Sequence, residues 1–257
     1  MTASPLSGRG IVITRPREHA AALAGRIRAA GGVPILFPTI EILPPENPEA
    51  LANLIAQLDR FQLAVFISPT AAMKGHERVI ATRTWPKSLR VAAVGAGTAK
   101  TLEQLGFDSV IAPSEQADSE ALAMLPELRK LRGRSVVIFR GQGGRGWLRA
   151  TLESRGARVD YAECYRRARP AADIGPLMAR WQSGGVEAVS IASAEGLANF
   201  FDVLGPTGRG YLRAAPVFVP HPRIAAAAEE LGVREVIVTG RGDEQTVAGM
   251  AAFFAKV

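Results

Sequence analysis

Cysteine is nearly missing: Cys164 stands alone in 257 residues. A single thiol excludes an internal disulfide and suits a reducing compartment. Histidine is almost as scarce. His19, His76 and His221 lie far from one another and from Cys164, so no metal-ligand spacing arises and no structural metal is expected. No apolar run approaches the roughly 18 residues of a membrane span. The N-terminal MTASPLSGRG has no hydrophobic core, which argues against a signal peptide. These absences point to a cytoplasmic chain with no membrane partner. Nucleophile signatures are missing too. There is no G-x-S-x-G, and neither Ser68 nor Ser193 has a candidate base beside it in sequence. Loop carboxylates are few, and Asp243-Glu244 read as caps of the last helix.

Acidic residues are outnumbered, 24 against 31 Lys and Arg, for a net charge of +7 and a pI near 10.2. A basic balance attracts nucleic acid, membranes or small polyanions. No basic run with interleaved aromatics supports nucleic-acid binding. Arginines cluster instead at strand ends: Arg15 and Arg17, Arg140 and Arg145, then Arg166, Arg167 and Arg169. That placement favours a small anionic ligand. A hydrophobic content of 47% is ordinary for a globular protein and provides for two cores.

Apolar runs alternate with helical periodicity along the chain. Strands are expected at 11–14, 34–38, 63–68, 90–94, 109–112, 135–140, 159–167, 188–192, 216–220 and 235–239. Helices are expected at 18–30, 48–58, from Pro69, at 98–105, 118–131, 147–155, 174–182, 195–203, 224–231 and 245–255. Such alternation means parallel α/β sheets.

The halves are copies. At an offset of 125, Ile13-Thr-Arg15 falls on Ile138-Phe-Arg140, Gly31 on Gly156 and Ser68 on Ser193. At 126, Val91 meets Val217 and Leu105-Gly106 meets Leu231-Gly232. This is a tandem duplication of a five-stranded unit. Yet the Pro-rich breaks, Pro44 to Pro48 and Pro170 to Pro176, fall inside the repeats, and breaks mark domain boundaries. Interleaved domains follow: residues 1–40 with 171–257, and residues 44–165. Segments 39–44 and 164–170 then form a two-stranded link.

Ligands of open parallel sheets sit beyond the strand C-termini. The loops there are rich in Gly, Arg, Ser and Thr, and helix N-termini direct N–H groups at anions. Turns of this kind also need glycine and caps for purely structural reasons. One loop, Gly141-x-Gly143-x-x-Gly146, matches the dinucleotide fingerprint and raises an NAD(P)- or flavin-dependent oxidoreductase as an alternative. The equivalent loop of the first repeat has no glycines, and Arg145 crowds the pyrophosphate position. His221 between two prolines reads equally as an acid–base group or a structural one. Cys164 reads as a small buried filler, and Trp147 and Trp181 as packing residues.

The pieces Ile13-Thr-Arg-Pro16, Phe66-Ile-Ser-Pro69, Val91 to Ala99, Leu105-Gly-Phe107, Arg140-Gly141 with Leu148 and Leu152, Tyr165-Arg166 and Leu231-Gly232 are similar, in order and spacing, to the uroporphyrinogen-III synthase family. The resemblance covers essentially the whole chain. It implies two flavodoxin-like domains joined by a two-stranded ladder, in a monomer of tetrapyrrole biosynthesis that needs no cofactor. The implied substrate is hydroxymethylbilane, closed with inversion of its last ring and loss of water. Acetate and propionate arms make that substrate a polyanion. The resemblance assigns a catalytic role to Tyr165, for which packing across the ladder is the competing explanation. It assigns substrate binding to Arg15, Ser68, Gly95, Arg140, Gly141 and Ser193, and less directly to Thr239. Here Ile67 and Ala192 stand where the family often has Thr before the serine. Pro220-His221-Pro222 offers fewer backbone donors, which leaves His221 to contact a carboxylate instead.

Overall fold

The computed structural model describes residues 4–114 and 118–256, so the first three residues of the polar N-terminal stretch lie outside it. The strands are β1 (Gly10–Ile13), β2 (Val33–Leu36), β3 (Glu41–Leu43), β4 (Leu63–Phe66), β5 (Arg90–Ala93), β6 (Val110–Ile111), β7 (Ser135–Gly141), β8 (Arg158–Ala168), β9 (Ala188–Ser190), β10 (Val217–Val219) and β11 (Val236–Val238). The helices are α1 (Arg17–Ala29), α2 (Pro48–Ala56), α3 (Pro69–Ile80), α4 (Ala96–Gln104), α5 (Ser119–Met124), α6 (Trp147–Ser154), α7 (Gly175–Gln182), α8 (Ala194–Val203), α9 (Gly205–Ala214), α10 (Pro222–Glu230) and α11 (Asp243–Phe254). None of the described helices is long and apolar enough to cross a membrane.

The chain divides into two compact units, Met1–Glu41 with Ala168–Val257, and Ile42–Arg167. The first holds a parallel sheet of order β11-β10-β9-β1-β2. The second holds the order β3-β8-β7-β4-β5-β6, parallel from β8 to β6. The repeat offset carries β1 and β2 onto β7 and β8, and β4, β5 and β6 onto β9, β10 and β11. The first sheet thus combines two strands of one repeat with three of the other, the second does the same with β3 added at its edge, and the five equivalent strands of both follow the order 2-1-3-4-5 of a flavodoxin-like fold. Neither repeat closes a sheet alone.

Strands β1 and β4 are buried along their whole length, as parallel strands covered by helices on both faces must be. Side chains alternate between two cores. In the second unit, Phe66, Val137, Phe139 and Ala162 enter one core, and Val65, Val136, Ile138 and Val159 enter the other. In the first unit, Val12, Val189 and Val217 oppose Ile11, Ile13, Ala188 and Phe218 in the same way. At the edge strand β2, Val33 and Phe37 donate to β1 and its neighbouring chain, so residues 34, 36 and 38 turn their backbone outward. Two of these are proline, which has no N–H to offer a further strand.

Two elements differ from sequence expectation. The helix expected at 118–131 is only α5, followed by a 3-10 turn at Pro126–Leu128. Leu125 precedes Pro126, and the proline ring pushes its ψ to 143°, out of the helical region. Helix α9 is absent from the sequence expectation, and Gly205, Gly208 and Gly210 disfavour a helix there. It forms because Leu212 is buried and Gly208 fits against Leu204, where a β-carbon would lie 2.9 Å from Cδ2. Within segment 39–44, Glu41–Leu43 form the short strand β3, which lies beside β8.

Candidate active site

Three strands of the second unit end at one edge of its sheet, where β8 runs past them. Ser68 follows β4, Gly95 follows β5, Arg140-Gly141 closes β7, and Tyr165 lies in β8. Alternation along β8 first places Val159 and Tyr161 on the α6 side and Ala162 and Cys164 on the α3 side. Tyr165 should then return to the α6 side. It does not. Arg140 pairs with Glu163 and Gly141 with Tyr165, so the register slips by one residue at this point. A bulge of this kind re-aims the following side chain. Tyr165 therefore joins Cys164 in the core that holds Phe66 and Phe139.

The phenol ring is only 4% exposed and rests on Gly141. Its Oη lies 3.3 Å from Ser68 Oγ. Ser68 also caps α3, its Oγ accepting the Ala71 N–H at 3.1 Å. With one lone pair so engaged, the serine hydroxyl is free to donate to the phenol oxygen. The phenol's own proton is then available to another acceptor. At 3.3 Å the contact is long for an O–H···O bond.

Arg140 points to the opposite face. It is 5% exposed, and among the described residues no carboxylate pairs with it. Its Nε donates to the Gly141 carbonyl at 3.1 Å, and its guanidinium lies 4.4 Å from the centroid of the Tyr161 ring. A charge this deeply buried is normally paired. Gly95 is the N-cap of α4, whose first turn carries no side-chain cap; the Thr98 N–H turns back to the Gly95 carbonyl at 3.0 Å, which leaves the Ala96 and Gly97 N–H groups at the helix end for a ligand.

The fingerprint loop does not behave as a dinucleotide turn. Gly141 is a strand residue covered by Tyr165, and Gly146 is the N-cap of α6. Arg145 is held at 2.9 Å by Glu120.

The first unit gathers Arg15, Ser193, His221 and Thr239 at the C-terminal ends of β1, β9, β10 and β11. Arg15 donates through Nη1 to Asp243, while its buried Nε has no hydrogen-bond partner among the described residues. Asp243 is therefore an ion-pair partner, and the N-cap of α11 is Gly242 without a side-chain bond. Ser193 caps α8 through the Gly196 N–H at 3.0 Å, just as Ser68 caps α3. His221 caps α10, its Nδ1 accepting the Arg223 N–H at 3.1 Å, which leaves the ring proton on Nε2. The Thr239 hydroxyl lies 3.3 Å from the carbonyls of Val219 and Gly240.

Sequence reasoning missed Tyr161 and Gly144, both in contact with Arg140. The available signal was the alternation of β8, which puts Tyr161 on the same face as the arginine. Trp147 is not a packing residue: it is 39% exposed at the start of α6. Trp181 is buried and stacks on Tyr211.

Residues 21–252 match the family model described as Uroporphyrinogen-III synthase HemD. The chain is 34% identical over 240 residues to the uroporphyrinogen-III synthase of Salmonella typhimurium, covering 92% of this chain and 97% of that one. It is 31% identical over 239 residues to that of Escherichia coli, with the same coverage. A crystal structure of a mutant uroporphyrinogen III synthase from Thermus thermophilus superposes with a TM-score of 0.64 at 19% identity, over 97% of this chain and 100% of that one. The Helicobacter pylori uroporphyrinogen-III synthetase superposes with a TM-score of 0.58 at 14% identity, over 95% and 99%. These structures share the two-domain α/β fold, and with matches over nearly its whole length the chain belongs to the uroporphyrinogen-III synthase family.

Proposed function

We propose that this chain closes hydroxymethylbilane to uroporphyrinogen III, inverting the last ring and releasing one water. The observation that carries this reading is the buried Arg140, unpaired by any described carboxylate, on the sheet edge that also holds the Tyr165–Ser68 hydroxyl pair. A polycarboxylate needs cations and backbone donors, and the closure needs a hydrogen-bond donor at the departing hydroxyl.

Tyr165 serves as that donor. The terminal hydroxyl leaves as water, and the electron pair of the ring nitrogen moves out to give an azafulvene. The last pyrrole attacks through its substituted carbon, forming a spiro intermediate. That intermediate fragments and recloses in the flipped sense, and loss of a ring proton restores the pyrrole. The protein's part is to hold the arms and the reacting ends in register. Arg140 and the uncapped α4 turn behind Gly95 take carboxylates in the second unit. Arg15, Ser193, His221 and Thr239 are the corresponding contacts of the first unit. Gly141 acts by giving Tyr165 its place. The reaction draws on no cofactor, and the enzyme works as a cytoplasmic monomer.

Purified protein supplied with hydroxymethylbilane should yield the type III isomer, separable from type I by chromatography after oxidation. Formation of only the type I macrocycle, the product of spontaneous closure, overturns the proposal.

A further inference from the structure

Arg140 needs a device to hold it. Its neighbours on β7 are apolar, and a guanidinium free to swing would turn toward solvent. Three contacts fix it. The Gly141 carbonyl takes Nε at 3.1 Å. The Gly144 backbone, at φ +88°, leaves room for Nη2, and a β-carbon there would approach within 3.0 Å. The Tyr161 ring lies 4.4 Å from Cζ. A second guanidinium, that of Arg149, lies 5.1 Å from the same centroid, but Glu153 neutralises it through a 2.8 Å bond to its Nε. Among the described residues Arg140 has no such partner. The ring faces attract cations without supplying a compensating charge. The fork is therefore held in one orientation by groups that offer it no carboxylate.

We propose that Tyr161 is a positioning residue for the reaction: its ring orients Arg140 so that the η nitrogens meet a carboxylate arm of the substrate. This rests on the activity proposed above. The ring is the active part and the phenol hydroxyl is not, because a cation is drawn to the π face. Tyr161 is thus distinct from Tyr165. The two tyrosines lie four residues apart on one strand yet serve opposite faces, because the bulge separates them.

Steady-state kinetics on hydroxymethylbilane test this with five proteins: wild type, Tyr161→Phe, Tyr161→Leu, Arg140→Met and the double variant Tyr161→Leu/Arg140→Met. Wild type must make the type III isomer; if it does not, the activity itself is refuted. Given that activity, Tyr161→Leu should raise KM about five- to tenfold with kcat within about twofold, the size of a lost cation–π contact. Tyr161→Phe should restore the wild-type KM. The double variant Tyr161→Leu/Arg140→Met should bind no worse than Arg140→Met alone, because the ring acts only through the arginine. An unchanged KM in Tyr161→Leu, a Phe variant as impaired as Leu, or additive effects in the double variant each overturn the inference. A merely structural tyrosine would lower the melting temperature of all Tyr161 variants without this KM pattern.

Discussion

A β-carbon placed on Gly141 would lie 2.7 Å from both Cε2 and Cζ of Tyr165. No real side chain tolerates such a contact, and the neighbour on this side is a ring held at 4% exposure. Glycine is required here for the close approach of an aromatic side chain. Gly141→Ala should displace the ring, cost about 1–3 kcal/mol of stability as an overpacked site, and lower kcat at least tenfold. Thermal unfolding and turnover of the same preparation check both effects. A variant with native kcat would show that the ring position is irrelevant to the reaction.

Tyr165→Phe removes one hydroxyl and keeps the ring. Ser68 retains its bond to Ala71, so little stability is at stake: about 1 kcal/mol or less. If the phenol donates to the departing hydroxyl, kcat should fall by about 10²-fold, the lower range for a positioned acid. The isomer ratio of the products is the second readout, since slow enzymatic closure lets type I accumulate. Native turnover would leave Tyr165 as a packing residue.

Ser68 and Ser193 are equivalent by repeat and both cap helices. Replacing either by alanine should cost about 1 kcal/mol, the usual value of a lost cap, and lower Tm by about 2–4 °C. Ser68→Ala should in addition reduce turnover, because Ser68 also meets Tyr165. Differential scanning calorimetry with matched kinetics separates the two contributions. Equal kinetic effects at both serines would remove any special role for the Ser68–Tyr165 contact.

Burial pushes the Cys164 thiol up to about 12 from an ordinary value of 9.0. The folded chain thus holds this proton more tightly than the unfolded chain does. The stability it contributes is complete below pH 9.0 and is lost as pH rises from there toward about 12. At pH 8 a thiol reagent should leave the native protein unlabelled and modify one equivalent after denaturation. Rapid labelling of the native state would contradict the burial. Urea unfolding between pH 8 and 10.5 should show stability falling more steeply in wild type than in Cys164→Ala.

Much of the fold is legible in the chain itself. Fully apolar runs such as Ile11 to Ile13 and Leu63 to Phe66 specify buried parallel strands, because only helices on both faces can cover them. The 125-residue offset exposes the duplication, and the proline breaks inside each repeat point away from a simple two-half division. What local pattern misjudges is where tertiary packing outweighs propensity. Helix α9 forms through three glycines because Leu212 has a core to enter. The 118–131 helix stops early because Pro126 forbids Leu125 a helical ψ.

The site divides along the same line. The chain alone points to Arg140, Gly141 and Ser68, since each stands at a strand end where ligands of parallel sheets bind, whereas Tyr165, inside β8, is named by the family resemblance. Which way those residues face is a property of the assembled sheet. Period-two alternation would send Tyr165 to the side of Tyr161, and one slipped residue opposite Arg140 and Gly141 sends it to Ser68 instead. A bulge is set by how two strands pair, and neither strand encodes it alone. The same holds for Arg15: its sequence position marks it as a free cation, and only the folded unit brings Asp243, more than two hundred residues away, to its guanidinium. Residue type and order determined the elements and the chemistry on offer. Pairing across the sheet decided which groups meet, because contacts between distant strands depend on register that no local segment carries.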